Sequence, residues 1–245
     1  MRAGLQRMSI ARLSGPTRLL LGSALVLLGT PARAEVGATV TLATQDRFRG
    51  YSVSDGYPAT TLSLSYDDAG GAYFEASVMG AGTFSHGVHR YRFEENAGYA
   101  LRLAGGPTID AGIVHADYSG YWIYHRKVVY TELYAGLIAG KLSAHLHYAP
   151  TYYQRGVATL YADVDGSVAL APHLRATGHV GVLRQVKGVR EQAGRLTHDW
   201  SIGAVADIGH LSFQLTLASG ADKRSFYGEA GHGGTALILA ATAAF

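Results

Sequence analysis

The chain has 245 residues, 21 Lys and Arg against 18 Asp and Glu, and no cysteine. The lack of Cys excludes a disulfide framework and thiol chemistry. Only 6 Pro beside 32 Gly and 16 Tyr favours many strands with tight turns over long helices.

Residues 1–34 carry Arg2, Arg7, Arg12 and Arg18, an apolar run Leu19–Leu28, and Ala32-Arg33-Ala34 before Glu35. A basic start, an apolar stretch and a small-residue cleavage site read as a signal peptide, removed to leave one domain over residues 35–245. The apolar run is too short for a membrane helix, which needs about 20 residues. Removing its five Arg leaves 16 basic against 18 acidic residues, a net of −2. The high pI therefore belongs to the leader, and nothing points to nucleic acid.

From Glu35 onward the chain divides into about twelve segments of strand length in which apolar and polar residues alternate. Val36–Phe48 sets Val36, Ala38, Val40 and Leu42 against Thr39, Thr41, Gln45 and Arg47. Thr60–Asp67 sets Leu62, Leu64 and Tyr66 against serines and threonine, and Ala72–Ala81 sets Phe74, Ala76 and Val78 against Tyr73, Glu75 and Ser77. Glu94–Leu103 opposes Tyr99, Leu101 and Leu103 to Glu94, Asn96 and Arg102. Thr108–Tyr118 is less regular and carries Asp110. Val129–Ala139 places Glu132 opposite Leu133. In Leu142–Tyr152 the residues Ser143, His145 and His147 alternate with Leu142, Ala144 and Leu146. Leu160–Leu170 sets Asp163 and Asp165 against Val164 and Val168, and Leu174–Leu183 sets Arg175, Thr177 and His179 against Val180 and Val182. Asp199–Ile208, which carries Asp207, and Leu211–Ala218 continue the pattern. The last segment, Thr235–Phe245, puts Thr235, Leu237, Leu239, Ala241, Ala243 and Phe245 on one face.

That last segment has the length of a tilted membrane-crossing strand, roughly 9–11 residues. A strand this apolar must be paired, and it fits as the closing strand of a barrel, sealed against Val36–Phe48. The connections alternate in length. Asp68–Gly71, Ala104–Pro107, Gly140–Lys141, Ala171–His173 and Gly209–His210 are short. Arg49–Ala59, Gly82–Phe93, Ser119–Val128, Tyr153–Thr159, Gln185–His198 and Ser219–Gly234 are longer. Outer-membrane barrels have short periplasmic turns and longer external loops. The expected fold is all-β: a transmembrane, antiparallel up-and-down β-barrel of about 12 strands with both termini periplasmic. Tyr118, Tyr121, Trp122, Tyr124, Tyr148, Tyr152, Tyr153 and Trp200 fall near the loop ends, where an aromatic belt is expected.

Two stretches carry a family likeness: Asp46–Ala59, reading DRFRGYSVSDGYPA, and Thr131–Tyr153, reading TELYAGLIAGKLSAHLHYAPTYY. In the first, an aromatic with Arg-Gly (Phe48, Arg49, Gly50) precedes Ser52, Ser54 and then Pro58-Ala59. This resembles the TorF-like porin family of bacteria, and so does the Thr-Glu-x-Tyr-x-Gly segment from Thr131. The acidic residue usual between the later tyrosines is replaced here by Pro150-Thr151. The resemblance covers the whole mature chain and implies an outer-membrane porin-like barrel, with no substrate or catalytic residue attached.

The polar face must line the lumen, because an Arg or Lys facing lipid at mid-bilayer costs about 2–4 kcal/mol. Expected lumen-lining residues are Arg47, Glu75, Arg102, Glu132, His145, His147, Asp163, Asp165 and Arg175; Arg49 and Asp55 are candidates to turn inward and constrict the mouth. Acids outnumber arginines on this face, which points to mild cation preference. His145 and His147 at i, i+2 have a spacing that can ligate a metal, but polar lining is the plainer reading and no metal or cofactor is assigned. No G-x-S-x-G, H-E-x-x-H or P-loop is present, and Ser85-His86 is an adjacent pair in a loop, so no enzyme is expected. The reading is a passive channel for small hydrophilic solutes or ions in the bacterial outer membrane. Its partners would be membrane lipid and, through Phe245, the barrel-assembly machinery. A non-conducting structural or partner-binding barrel is the alternative.

Overall fold

A computed structural model describes residues 34–83, 87–118, 128–153, 155–188, 196–220 and 234–245. The leader, Tyr121, Trp122, Tyr124, Ser85 and His86 lie outside these residues. Among the described residues fourteen strands occur in order: β1 (Ala34–Ala43), β2 (Arg47–Phe48), β3 (Tyr51–Ser52), β4 (Ala59–Asp68), β5 (Ala72–Thr83), β6 (Gly87–Arg102), β7 (Thr108–Tyr118), β8 (Val128–Ala139), β9 (Leu142–Ala149), β10 (Ala158–Ala171), β11 (Leu174–Lys187), β12 (Leu196–Ile208), β13 (Leu211–Gly220) and β14 (Ala236–Ala244). Twelve of them form a closed antiparallel barrel in which each is paired with its neighbours in sequence. The small β2–β3 hairpin stands apart from the wall.

Closure occurs where the alternation of the final segment requires it. β14 pairs with β1, with Val40 opposite Ala243 and Thr41 opposite Thr242. The Thr41 and Thr242 hydroxyls share a buried hydrogen bond of 2.9 Å. Phe245 and Ala38 exchange backbone hydrogen bonds of 2.9 and 3.2 Å, so the chain end is part of the seam. No open edge remains in the wall, which is what a bilayer demands of a sheet.

The wall is apolar outside. Leu64, Leu133, Leu146, Val180, Ile202 and Leu239 all project outward and stay exposed. The residues directly preceding Leu64, Leu133, Leu146 and Val180 are buried and polar: Ser63, Glu132, His145 and His179. These outward-facing aliphatic side chains therefore do not converge on a shared centre. An apolar surface of this extent is foreign to water-soluble monomers and suits hydrocarbon. Tyr148 and Trp200 face outward as belt residues near the long connections. A second outward set, Tyr66, Phe74, Tyr99 and Phe245, lies toward the short turns. Tyr118, Tyr152 and Tyr153 correct the belt expectation: they turn inward, Tyr118 and Tyr153 stacking on Tyr130 and Tyr152 meeting it edge-on.

Two boundaries differ most from the sequence pattern. The first segment stops at Ala43, and Arg47 and Phe48 belong to the separate hairpin. β5 and β6 run on to Thr83 and Gly87, so the long connection expected at Gly82–Phe93 is mostly strand.

Large lumenal side chains are seated on glycines of adjacent strands. The Tyr73 ring lies over Gly98, Tyr134 over Gly112, Tyr161 over Gly181 and the His145 ring over Gly136. A side chain at any of these positions would occupy the space of the ring. Gly112→Ala would also meet the Ala97 carbonyl oxygen, which is backbone and cannot rotate away. Overpacking of this kind costs about 1–3 kcal/mol, so the variant should unfold at lower urea than the parent barrel.

Candidate functional site

The lumen is the site, and at the end of the long connections it is crossed by the loop between β1 and β4. Within it β2 and β3 pair, Arg47 opposite Ser52 and Phe48 opposite Tyr51. The two-residue turn is Arg49-Gly50, with φ of 49° and 78°. Positive φ at both central positions is the requirement of a type I′ turn. Ser54 Oγ accepts from the Asp46 N–H at 2.8 Å, and the Asp46 carbonyl accepts from Val53 N–H at 2.9 Å. Ser52 Oγ accepts from Gly56 N–H at 2.7 Å. The two serines thus fold the loop on itself.

The hairpin tip crosses the bore. Arg49 donates to both oxygens of Glu132 on β8, at 2.9 and 2.8 Å. Its guanidinium lies over Tyr161 of β10 at 3.9 Å and over Tyr152 at 5.3 Å. Gly50 abuts the backbone of Gly220, at the end of β13, so closely that neither residue has room for a Cβ. Phe48 and Tyr51 bury themselves among Tyr91, Tyr118, Tyr130, Tyr152 and Leu183. The loop therefore touches β6, β8, β10 and β13, spanning the opening from the β1 side.

Two arginines brace it. Arg47 donates to the carbonyls of Gly50 at 2.8 Å and Gly234 at 2.6 Å, tying the loop to the segment that leads into β14. Arg92 pairs with Glu94 at 2.7 Å and lies 3.9 Å from Asp46. Asp46 also accepts from the Tyr91 hydroxyl at 2.5 Å. Burial pushes the Asp46 carboxyl up to about 6, against the opposing pull of Arg92 and Tyr91.

Below the loop, β5 to β12 carry a network of Tyr, His and carboxylate groups. The Tyr73 hydroxyl donates to Asp110 at 2.6 Å and touches the Tyr134 hydroxyl, which donates to Asn96 at 3.0 Å. His145 stands 3.5 Å from Asp110 and 3.6 Å from Asp163. His147 stands 3.4 Å from Asp163 and 3.9 Å from Glu132. His179 bridges Asp165 and Asp199 at 2.8 Å each, and Tyr161 donates to Asp199. The opposite wall is lined by small hydroxyls: Thr39, Thr41, Ser63, Ser77 and Thr242. Toward the short-turn end Arg175 pairs with Asp207, both partly exposed.

The expected lumenal residues are therefore distributed unevenly. Glu132, His145, His147, Asp163 and Asp165 are brought together, with Arg49 added from the loop. Glu75 is half-buried on β5 and accepts a hydrogen bond from the Ser77 hydroxyl at 3.4 Å. Arg175 is held by Asp207, and Arg102 is exposed at the end of β6. Arg47 lies in the loop and not on β1, a correction that follows from the early end of that strand. Asp55 sits at φ 57° in the turn after β3; the partner found for Arg49 is Glu132. Arg92, Asp46 and Asp199 were not expected at the site. For Arg92 the signal was present: it extends the Glu94, Asn96 alternation by one step.

A family profile described as "Bacterial protein of unknown function (Gcw_chp)" matches residues 29–233. The chain belongs to this family. No protein with a curated description matches this Gcw_chp chain. Among solved structures it is similar to the NanC porin, with 9% identity and a TM-score of 0.57 over 85% of this chain and 98% of that one. It is similar also to the KdgM porin, at 14% identity and a TM-score of 0.51 over 85% and 99% of the two chains. An outer membrane channel from Pseudomonas putida F1 aligns at 12% identity and a TM-score of 0.50, over 89% and 97%. At such identities the likeness establishes the barrel fold.

Proposed function

We propose that this protein is a porin-like channel of the bacterial outer membrane, in keeping with its resemblance to TorF-like porins, that passes small hydrophilic solutes or ions. The observation that carries the reading is the inversion of the wall. Leucines face out where lipid would be, and the charged residues named above face in, where only water could make them affordable. The fold likeness to porins agrees with it. In this reading residues 1–34 are the export signal, the termini and short turns are periplasmic, and the β1–β4 loop guards the external mouth.

The test is single-channel recording of the refolded barrel in a planar bilayer. Discrete conductance steps are expected; a folded barrel without steps would leave the non-conducting alternative. Cation preference should depend on carboxylates that no arginine neutralises. Glu132 is paired with Arg49, so Glu75 is the better probe. Glu75→Lys should weaken or reverse the cation preference read from the reversal potential.

Phe245 is proposed as the signal read by the assembly machinery. Its backbone completes the seam while its ring stays exposed, so the side chain contributes little to the folded barrel. Phe245→Ala should sharply lower the amount assembled in cells and leave refolding from urea into detergent near that of the parent. Equal losses in both would assign Phe245 to the fold instead.

A further inference from the structure

We propose that His145, Asp163 and Asp165 form a binding site for a divalent first-row transition cation inside the barrel. The register of β9 and β10 builds it: His145 is directly opposite Asp163, and Asp165 follows two residues along the same face. One donor atom from each lies within 4.8 Å of the other two. The side chains of Asp163 and His145 are 0% and 3% exposed.

Burying such groups is costly unless they are satisfied. Among the described residues, neither carboxylate oxygen of Asp163, nor Oδ2 of Asp165, nor Nδ1 of His145 has a hydrogen-bond partner. Among the described residues, no Lys or Arg pairs with Asp163 or Asp165. Each member of the trio therefore keeps a donor atom that makes no hydrogen bond, the His145 and His147 imidazoles standing 3.6 and 3.4 Å from Asp163.

The surroundings are those of an outer shell. His145 Nε2 is 3.5 Å from Asp110, which is itself held by Tyr73. Asp165 Oδ1 is held by His179 at 2.8 Å, and Asp163 Oδ2 is 3.4 Å from His147. A carboxylate behind a ligating imidazole and an imidazole behind a ligating carboxylate fix the ligand atoms in place. Gly136 on β8 leaves the room that the His145 ring occupies, since a Cβ there would overlap it. One nitrogen and two carboxylate oxygens suit Zn²⁺, Ni²⁺ or Cu²⁺ better than Ca²⁺ or Mg²⁺, which take all-oxygen shells. Metal–ligand bonds near 2.1 Å need the donors about 3–3.5 Å apart, so the three side chains would close in by roughly 1 Å on binding. The remaining positions would be filled by water from the lumen, on which Asp165 is 12% exposed. Binding here does not depend on whether the barrel conducts.

The test is calorimetric titration of the refolded, metal-stripped full barrel with Zn²⁺, paired with pulsed EPR of Cu²⁺ on the same protein. One saturable site is expected, with the Cu²⁺ signal coupled to a single imidazole nitrogen. Asp163→Asn with Asp165→Asn should abolish it, and His179→Gln, behind Asp165, should weaken it about 10–100-fold. Saturable binding that survives the double substitution would place the ion elsewhere and overturn the proposal. If the double variant does not fold, the wild-type Cu²⁺ spectrum decides: the absence of imidazole coupling would reduce the cluster to an ion-pair lattice.

Discussion

Arg49→Ala should raise the single-channel conductance of the barrel several-fold while leaving its strands intact. Arg49 holds the hairpin tip across the bore through two charge-assisted hydrogen bonds to Glu132 and through the faces of Tyr161 and Tyr152. It does so from a positive φ that costs a non-glycine residue about 1–2 kcal/mol. The strained turn persists because the side-chain contacts over-determine it. Truncation removes them and leaves Glu132 buried without its cation, a change worth about 3–5 kcal/mol where water is excluded. Water from the bore lowers that figure, yet every 1.4 kcal/mol is about a tenfold change in the docked fraction of the loop. Limited proteolysis should then cut within residues 45–58, which the docked loop protects. Arg49→Ala with Glu132→Gln should open the bore as the single variant does while recovering part of the lost stability. Gly50→Ala reaches the same end by another route, since its φ of 78° and the backbone of Gly220 leave no room for a Cβ. Unchanged conductance in both variants would show that the hairpin does not obstruct the path.

The wall of the barrel was legible in the sequence because its physics is local. A period of two residues, read along each segment, already separates Leu133 from Glu132 and Val164 from Asp163, and lipid outside forces the same choice on every strand. Thr108–Tyr118 was recovered to the residue, and the other bounds moved by a few positions. What lay hidden was the traffic across the lumen. Nothing in the spacing of Arg49 and Glu132, 83 positions apart, says that they meet. Their pairing depends on the shear of a closed sheet and on a loop folding back into it. For the same reason the interfacial role expected of Tyr118, Tyr152 and Tyr153 failed. Tyrosine suits a headgroup and a packed lumen equally well, and only the inward hairpin, with Phe48 beside its turn, decides between them. The histidine pair at His145 and His147 was visible, but its carboxylate neighbours come from the facing strand, where no single-segment pattern could join them.

Leu215→Arg should cost the barrel about 2–4 kcal/mol in lipid vesicles, while Gln214→Arg, one residue away, should cost far less. Leu215 sits at the middle of β13, opposite Leu239 on one side and Ala204 on the other, and faces outward. An arginine there has no water in reach except by deforming the bilayer. Gln214 points into the lumen, half-buried, with its amide donating to Thr216 at 2.8 Å. An arginine on that side meets solvent and carboxylates. The measurement is the urea midpoint of each refolded variant, followed by the shift in gel mobility that separates folded from unfolded barrels. The comparison is sharp because the two environments predict opposite orders. On the surface of a water-soluble protein a Leu→Arg change would fall within about ±0.5 kcal/mol, and the inward substitution would be the damaging one. Leu215→Arg tolerated better than Gln214→Arg would mean that the exposed leucines face water or another protein, and the channel reading would fall with them.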